Sequence, residues 1–321
     1  MATKILVSPK FPAAMLEIAR SFVPAGFEMV VVDAGTPEFT AALADAEYYV
    51  GFPRPELNGE FFKTASGLKL VQLISAGYDR LDVAAAKRAR VPVANNGGSN
   101  SVAVAEHTLM LMLAVYRKLS WHHGNVITGK WRVGDFASNR TYELEGKTLG
   151  IIGLGTIGKK VARRAAAFDM KIVYYDIARL AEDALGVRFV LLPELLRTAD
   201  IVSLHVPLNP VTRNMFGARE LGMMRPTAVL INTCRGPVVD EHALHTALTT
   251  KVIAAAGLDV MVEEPPIANH PLFALENVTF TPHTAGPTWD NWFKAFRNAF
   301  DNVQRVARGE RPLWVIPELR Q

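Results

Sequence analysis

The chain has 321 residues, more than one domain usually holds and enough for two domains of about 100 to 200 residues each. Hydrophobic residues make up 50% and charged residues 21%, as in an ordinary globular protein, and the single cysteine, Cys234, excludes an internal disulfide and a cysteine-based zinc site. The net charge of +4 is small, and neither a long basic run nor a long apolar stretch is present, so we predict no nucleic-acid partner, no membrane span and no metal. Because no signal-peptide pattern opens the sequence, we expect a cytoplasmic protein.

In the first hundred residues, short apolar runs alternate with helix-like segments. The runs cover residues 4–7, 29–32, 48–50, 70–74 and 91–94. Strands that alternate with helices indicate βαβ units and a parallel sheet. We therefore predict a doubly wound, flavodoxin-like α/β domain in this part of the chain.

A longer amphipathic segment, residues 102–116, has the apolar spacing of a helix, with Asn100 or Ser101 as its N-cap. It leads into a second αβ pattern with strand-like runs at residues 148–152, 172–175, 201–206, 228–234, 254–260 and 278–282. The final helix-like segment, residues 289–308, is expected to cross back to the first domain. The predicted domains are therefore residues 1–99 with 288–321, and a Rossmann domain of residues 100–287.

A glycine-rich run, Gly153-Leu154-Gly155-Thr156-Ile157-Gly158, lies between a predicted strand and a predicted helix, with a second strand after the helix. This context is typical of a dinucleotide-binding turn, in which the glycines allow a tight turn and the helix N-terminus binds the pyrophosphate. Asp176 follows the second strand, 18 residues after Gly158, where a carboxylate binds the ribose 2′-OH. It favours NAD over NADP, although Arg179 nearby weakens that preference.

Three chemically active side chains follow successive strands of the second domain. Arg235 comes after the run 228–234, Glu263 and Glu264 after 254–260, and His283 after 278–282. The carboxyl ends of parallel strands lie at one edge of a sheet, so these side chains are expected to converge. An arginine that binds a carboxylate, a histidine that exchanges a proton and an acid that orients it suit hydride transfer to a carbonyl beside a carboxylate.

Six segments, in order over most of the chain, carry a family resemblance: residues 72–79, 104–108, 153–158, 232–241, 257–260 and 281–286. They resemble the D-isomer-specific 2-hydroxyacid dehydrogenases. The resemblance implies NAD-dependent interconversion of a small anionic 2-keto acid and a D-2-hydroxy acid. It also implies that Arg235 binds the substrate carboxylate and carbonyl, that His283 is the acid/base, and that Glu264 is its partner.

The resemblance extends to binding residues and assembly. It implies that the backbone of Ser75, Ala76 and Gly77, in the domain that binds substrate, holds the substrate carboxylate. The helix at residues 102–116 resembles the family's dimer-forming segment, so we expect a homodimer. The positions that match residues touching NAD are Asp176, His205, Pro207, Thr212, Thr233, Cys234 and Asp259, of which His205 is the weaker candidate and Asp259 matches a position near the nicotinamide amide.

The sequence leaves alternatives open. Glu263 competes with Glu264 as the partner of His283. Phosphite oxidation by NAD is compatible with the same triad, and a non-enzymatic, corepressor-like module that senses NAD(H) is compatible with the same fold. Related formate dehydrogenases have glutamine at the position of Glu264, which argues against formate.

Overall fold

The computed structural model describes residues 2–135, 137, 139–180 and 186–320. The chain divides into two compact units, which we call the first unit (Met1–Asn100 with Pro287–Gln321) and the second unit (Ser101–Gly286). Each unit is built around a parallel sheet. The predicted fold class, two parallel-sheet α/β domains, is confirmed.

The strands, in chain order, are β1 (Thr3–Ser8), β2 (Phe27–Val31), β3 (Tyr48–Gly51), β4 (Leu70–Leu73), β5 (Val93–Ala94), β6 (Thr148–Ile152), β7 (Lys171–Tyr175), β8 (Arg188–Phe189), β9 (Ile201–Leu204), β10 (Val229–Asn232), β11 (Ala255–Leu258) and β12 (Val278–Phe280). The helices are α1 (Ala13–Ser21), α2 (Pro37–Ala44), α3 (Gly59–Thr64), α4 (Val83–Ala89), α5 (Ser101–Tyr116), α6 (Leu119–Ile127), α7 (Thr156–Ala166), α8 (Leu192–Thr198), α9 (Ala218–Met223), α10 (Glu241–Thr249) and α11 (Trp289–Ala307).

The first unit contains a parallel sheet whose described strands run in the order β2-β1-β3-β4-β5. Its strands are apolar on both faces: in β1, Leu6 packs into the core on one side and Ile5 into the core on the other. Continuous apolar runs of this kind are typical of a parallel sheet with both faces covered. The final helix, α11, packs Phe296 and Phe300 into the same core as Ile5.

In the second unit the described strands form a parallel sheet in the order β12-β11-β10-β9-β6-β7-β8. The chain runs outward from β6 to β8 and then returns to β9 on the other side of β6. Between β6 and β9 the sheet therefore has a topological switch point, where ligands bind in open α/β sheets. Strand β8 has two residues and was not predicted, because so short a segment has no detectable alternation.

Helix α5 extends over Ser101–Tyr116, close to the predicted segment, and packs Leu111 and Met112 into the core of the second unit. The expected cap is wrong for Asn100: its side-chain oxygen is buried without a hydrogen-bond partner among the described residues, and Ser101 is itself the first helical residue. Within the described part of the chain, no helix is both long and apolar enough to cross a membrane.

Candidate active site

The turn between β6 and α7 is tight and leaves backbone amides open. Gly153 has a φ of 91°, and a Cβ atom there would lie 2.5 Å from the carbonyl oxygen of His205. A Cβ atom at Gly158 would collide with the carbonyl oxygen of Gly153, whereas one at Gly155 would meet no atom within 4 Å. Only glycine fits at positions 153 and 158, because any side chain would collide there. The open space beside Gly155 lets a ligand approach the backbone.

The first amide that bonds within α7 belongs to Lys159, whose N–H donates to the Gly155 carbonyl (3.0 Å). The N–H groups of Thr156, Ile157 and Gly158 therefore precede the helical ladder and lack helical acceptors. Free amides at a helix N-terminus, together with the helix dipole, favour an anion such as a pyrophosphate. The residues of this turn fit a bound dinucleotide.

Asp176 comes directly after β7 and lies next to the glycine turn. Its Oδ2 accepts a hydrogen bond from the Leu154 N–H (2.8 Å), and its Oδ1 accepts one from the Ala178 N–H (3.4 Å). The carboxylate is thus fixed beside the turn, where a ribose 2′-OH would lie in a dinucleotide-binding fold.

His205 lies against the glycine turn through its backbone, and its side chain pairs with Ser203 (Nε2 to Oγ, 2.9 Å). Burial lowers the pKa of His205 to about 3, so the ring is neutral at pH 7. In the following loop the hydroxyl of Thr212 donates to the carbonyl of Pro207 (2.6 Å). These contacts shape the loop that follows β9. The His205 side chain therefore supports this loop.

Arg235 follows β10 in a loop that Asn232 holds together. The Asn232 Oδ1 accepts from the Cys234 N–H (3.0 Å) and its Nδ2 donates to the Arg235 carbonyl (2.9 Å). The Arg235 guanidinium donates through Nη1 to the Cys234 carbonyl (2.7 Å). Burial raises the pKa of the Cys234 thiol to about 11, so this cysteine stays protonated. Thr233 is buried, and its hydroxyl lies 3.0 Å from that of Thr108 on α5.

His283 and Glu264 form a hydrogen-bonded pair, with 2.7 Å between Nδ1 and Oε2. An ionised carboxylate only accepts hydrogen bonds, so the proton of the neutral ring is on Nδ1. Burial alone would raise the pKa of Glu264, but the His283 hydrogen bond and charge, the Met261 N–H and the Arg235 charge together lower it below the ordinary value. The carboxylate beside His283 is therefore that of Glu264, whereas Glu263 is exposed.

Asp259 follows β11 and is 1% exposed. Its carboxylate accepts hydrogen bonds from the hydroxyl of Thr281 (2.6 Å) and from the N–H groups of Thr284 (2.9 Å) and Ala285 (3.0 Å). Its carbonyl accepts from the His283 N–H (2.7 Å). Asp259 thus shapes the turn that carries His283, and its direct contact with NAD stays a prediction.

The loop after β4, in the first unit, carries Ser75, Ala76 and Gly77. All three of their carbonyl groups accept hydrogen bonds, from the Asn96 N–H (3.0 Å), the Asn95 side chain (3.0 Å) and the Ser75 hydroxyl (2.8 Å) respectively. In the part of the chain that the structure describes, we find no acceptor for the N–H groups of Ala76 and Gly77. Such amides at the end of a strand are suited to an anion.

Sequence reasoning did not single out Asn232 or Asn95, which hold two of these loops. Asn232 makes a turn in which its side-chain oxygen binds the N–H two residues on, a pattern that asparagine at the end of a strand predicts. Asn95 makes the same kind of turn with the Gly97 N–H (3.1 Å), but its contact with the Ala76 carbonyl had no local signal because that residue lies 19 positions earlier in the chain. Among the described residues, no three His, Cys, Asp or Glu side chains are arranged to hold a metal ion.

Comparison with known proteins identifies the family. Residues 109–285 match the model of the D-isomer specific 2-hydroxyacid dehydrogenase, NAD binding domain. A glyoxylate reductase of Korarchaeum cryptofilum is 39% identical over 271 residues, which cover 84% of this chain and 82% of that protein. A D-3-phosphoglycerate dehydrogenase of Methanocaldococcus jannaschii is 37% identical over 276 residues, covering 85% of this chain and 52% of that protein.

Solved structures resemble the whole chain. The TT0316 protein of Thermus thermophilus is 32% identical, with a TM-score of 0.87 over 98% of this chain and 100% of that one. The apo form of D-mandelate dehydrogenase from Rhodotorula graminis is 29% identical, with a TM-score of 0.87 over 98% of both chains. The chain belongs to the D-isomer specific 2-hydroxyacid dehydrogenase family, and NAD is its cofactor.

Proposed function

We propose that the chain reduces a small 2-keto acid to the D-2-hydroxy acid with NADH, and catalyses the reverse reaction. The observation that carries the proposal is the 2.7 Å pair between His283 and Glu264, on whose carboxylate the Arg235 charge also acts. Relatives named glyoxylate reductase that are 39% identical to this chain support glyoxylate as the first substrate to test.

In the reducing direction the carbonyl carbon gains a hydride and the carbonyl oxygen gains a proton, so that the 2-keto acid becomes a 2-hydroxy acid. When NADH is bound, its nicotinamide supplies the hydride. His283 supplies the proton from Nε2, while its Nδ1–H stays bound to Glu264. Because the pKa of Glu264 is lowered, this residue stays ionised and stabilises the protonated ring before the transfer.

Arg235 is proposed to bind the substrate through its guanidinium, which pairs with a carboxylate and stabilises negative charge that develops on the carbonyl oxygen. The Ala76 and Gly77 amides, in the loop of the first unit that begins with Ser75, are proposed to be suited to a carboxylate. Both assignments require a substrate that carries a carboxylate. The Arg235 assignment also requires the reacting carbonyl to lie next to that carboxylate. A 2-keto acid meets that requirement.

The test is an assay of NADH oxidation with glyoxylate, hydroxypyruvate, pyruvate and phenylpyruvate, with phosphite and NAD in a separate reaction. We expect turnover with at least one keto acid and formation of the D product. Turnover with phosphite alone would replace the proposal by phosphite oxidation. Measurable NADH binding without any turnover would favour a non-enzymatic module that senses NAD(H).

Asp176 is proposed to select NAD over NADP, because its carboxylate repels a 2′-phosphate. Asp176→Ala should relax the ratio of kcat/KM for NADH over NADPH toward NADPH. This substitution also removes the acceptor of the Leu154 N–H. Asp176→Asn is the matched control, because it keeps an oxygen for Leu154 and removes the charge. A ratio that changes in the alanine variant but not in the asparagine variant would assign Asp176 to the turn rather than to selectivity.

We also propose that the chain forms a homodimer through the apolar surface of α5 and α6. Helix α6 buries none of its residues within this chain, although Leu119, Val126 and Ile127 are large and apolar. Exposed Met110 of α5 and exposed Phe168 also belong to the second unit. A nine-residue helix without a buried residue is marginal by itself, and a second copy is the commonest partner for such a surface.

Sedimentation velocity at micromolar concentration tests the dimer. Ile127 is 69% exposed, and Ile127→Asp should convert the dimer to a monomer by placing a charge in the interface. The control is Leu191→Asp, at a similarly exposed leucine beside α8, which should leave the dimer intact. A monomeric wild-type protein would contradict the proposal.

A further inference from the structure

Two adjacent residues of α5 contact the segments that lead to Arg235 and His283. The His107 Nε2 lies 2.8 Å from the hydroxyl of Thr281, and the Thr108 hydroxyl lies 3.0 Å from that of Thr233. Thr281 stands two residues before His283, and Thr233 stands two residues before Arg235. Helix α5 therefore contacts both loops, in each case at the residue two positions before the proposed functional side chain.

The direction of the hydrogen bonds at Thr281 is fixed by the groups around it. The Thr281 hydroxyl donates its single proton to Asp259 Oδ1 (2.6 Å), an oxygen that also accepts from the Thr284 N–H (2.9 Å) and lies 3.4 Å from His107 Nε2. His107 must then donate to Thr281 from Nε2. Its side chain is 13% exposed, and burial lowers the pKa of His107 against the opposing charge of Asp259. His107 is therefore a neutral donor, with its proton on Nε2.

The turn that this chain of hydrogen bonds supports is unusual. His283 has a φ of 53°, a left-handed conformation that is unfavourable for a residue with a side chain. The Asp259 carboxylate offsets this cost by accepting from the N–H groups of Thr284 and Ala285. Any rotation of the Asp259 carboxylate would change the support of the turn. From the side of α5, the Thr281 hydroxyl makes the shorter contact with this carboxylate (2.6 Å), and His107 Nε2 lies 3.4 Å from the same oxygen.

We propose that His107 is a positioning residue for His283, which acts through the hydroxyl of Thr281 and the carboxylate of Asp259. The inference rests on the proposed function, because it takes His283 as the acid/base. His107 itself need not touch substrate or cofactor. Its contribution is to keep the imidazole of His283 in register with Glu264, and a small displacement of a reacting group is enough to slow a reaction.

The test uses a matched pair at Thr281. Thr281→Val preserves the shape of the side chain and removes the hydroxyl, whereas Thr281→Ser preserves the hydroxyl and removes a methyl group. We expect Thr281→Val to lower kcat about tenfold, with the Kd for NADH unchanged, and Thr281→Ser to restore the wild-type rate to within about twofold. Equal kcat values in the two variants would overturn the proposal.

His107→Phe completes a double-mutant cycle. It keeps a planar ring and removes the donor, so it should lower kcat in the wild type and add little in the Thr281→Val background. Losses that multiply in the double variant would mean that His107 and Thr281 act independently, which would contradict the proposed chain of contacts. Melting temperatures of all variants report any general loss of stability separately.

A second readout does not depend on turnover. The imidazole signal of His283, assigned by its absence in His283→Ala, is followed by NMR as a function of pH. Its titration midpoint should shift in Thr281→Val and return to the wild-type value in Thr281→Ser. If the wild type reduces no keto acid, the proposed function fails while this shift still tests the positioning role. Normal turnover in the wild type with no shift in any variant would reject the positioning role alone.

Discussion

The second unit contains two histidine–glutamate pairs whose chemistry is nearly the same. In one pair, His283 Nδ1 lies 2.7 Å from Glu264 Oε2, and in the other, His270 Nε2 lies 3.2 Å from Glu241 Oε2. In both pairs the second oxygen of the glutamate accepts from a backbone N–H in the loop after β11. Residue types and distances alone do not say which pair does chemistry.

The two pairs differ in whether the second ring nitrogen of the histidine has a hydrogen-bond partner among the described residues. The Nδ1 of His270 accepts from the Leu272 N–H (3.4 Å), so both of its ring nitrogens are engaged and the side chain is 17% exposed. His283 is 44% exposed, and within the described residues its Nε2 has no hydrogen-bond partner. A ring that is held at one nitrogen and open at the other can exchange a proton with a ligand. We therefore interpret the His270 pair as a brace for the loop and the His283 pair as the reactive one.

The largest expected effect separates the two histidines by activity. His283→Ala should lower kcat/KM by about a thousandfold, because it removes the proton donor, and it should leave the melting temperature nearly unchanged. His270→Ala should lower kcat/KM only severalfold, through movement of the loop. Steady-state kinetics with the best keto acid checks both values. Similar losses in the two variants would break the distinction between a reactive pair and a structural one.

The second effect compares the glutamates. Glu264→Gln should lower kcat/KM by about a hundredfold, because the protonated ring loses its anionic partner. Glu241→Gln, which removes the equivalent charge beside His270, is the matched control and should stay within a fewfold of the wild type. A larger loss for Glu241→Gln than for Glu264→Gln would assign the chemistry to the His270 pair instead.

The pH dependence sharpens this comparison. The folded-state pKa of Glu264 is lowered, so its carboxylate loses its charge only below its ordinary value of 4.5. The interaction with His283 therefore contributes stability above that value and loses it as the pH falls through the folded-state pKa. While Glu264 is ionised, its negative charge stabilises positive charge on the neighbouring imidazole. We expect Glu264→Gln to move the alkaline limb of the kcat/KM profile to lower pH, and Glu241→Gln to leave it in place.

A third effect reverses the order of the pairs when stability is measured. Glu241→Ala should lower the free energy of unfolding by about 1 to 3 kcal/mol, because it leaves the His270 ring, which is only 17% exposed, without its hydrogen-bond partner. His283→Ala should change it by about 0.5 kcal/mol or less, because this side chain is exposed. Urea denaturation followed by circular dichroism gives both values. A larger loss for His283→Ala would contradict the assignment of the brace.

Local sequence signals predicted much of this site. The glycine turn has its own spacing, and Arg235, Glu264 and His283 each follow a recognisable strand. The choice between Glu263 and Glu264 was not local, because neighbouring acids in a loop look alike until the hydrogen bond to His283 separates them. In the same way, His270 could be interpreted as structural only from the contacts of its two ring nitrogens with Glu241 and Leu272.

Other features had no local signal at all. The contact between His107 and Thr281 joins residues 174 positions apart, on a helix and at the end of a strand. Nothing in the pattern of either segment predicts the other. The expected cap at Asn100 was wrong because an asparagine before an apolar helical pattern resembles a cap whether or not its side chain reaches the helix amides. Propensity describes a segment, whereas these contacts depend on how segments pack.

The smallest effect tests the backbone at the two histidines. His283 has a φ of 53°, where glycine is favoured over alanine, whereas His270 has a φ of −61°, where alanine is favoured because glycine loses more entropy on folding. We expect His283→Gly to be more stable than His283→Ala by about 1 kcal/mol, and His270→Gly to be less stable than His270→Ala by about 0.5 to 1 kcal/mol. At each position the glycine and alanine variants both lack the imidazole, so the difference in stability between them reports the backbone alone. The same sign at both positions would mean that the positive φ of His283 is not maintained in solution, and the support that Asp259 gives to this turn would then lose its physical basis.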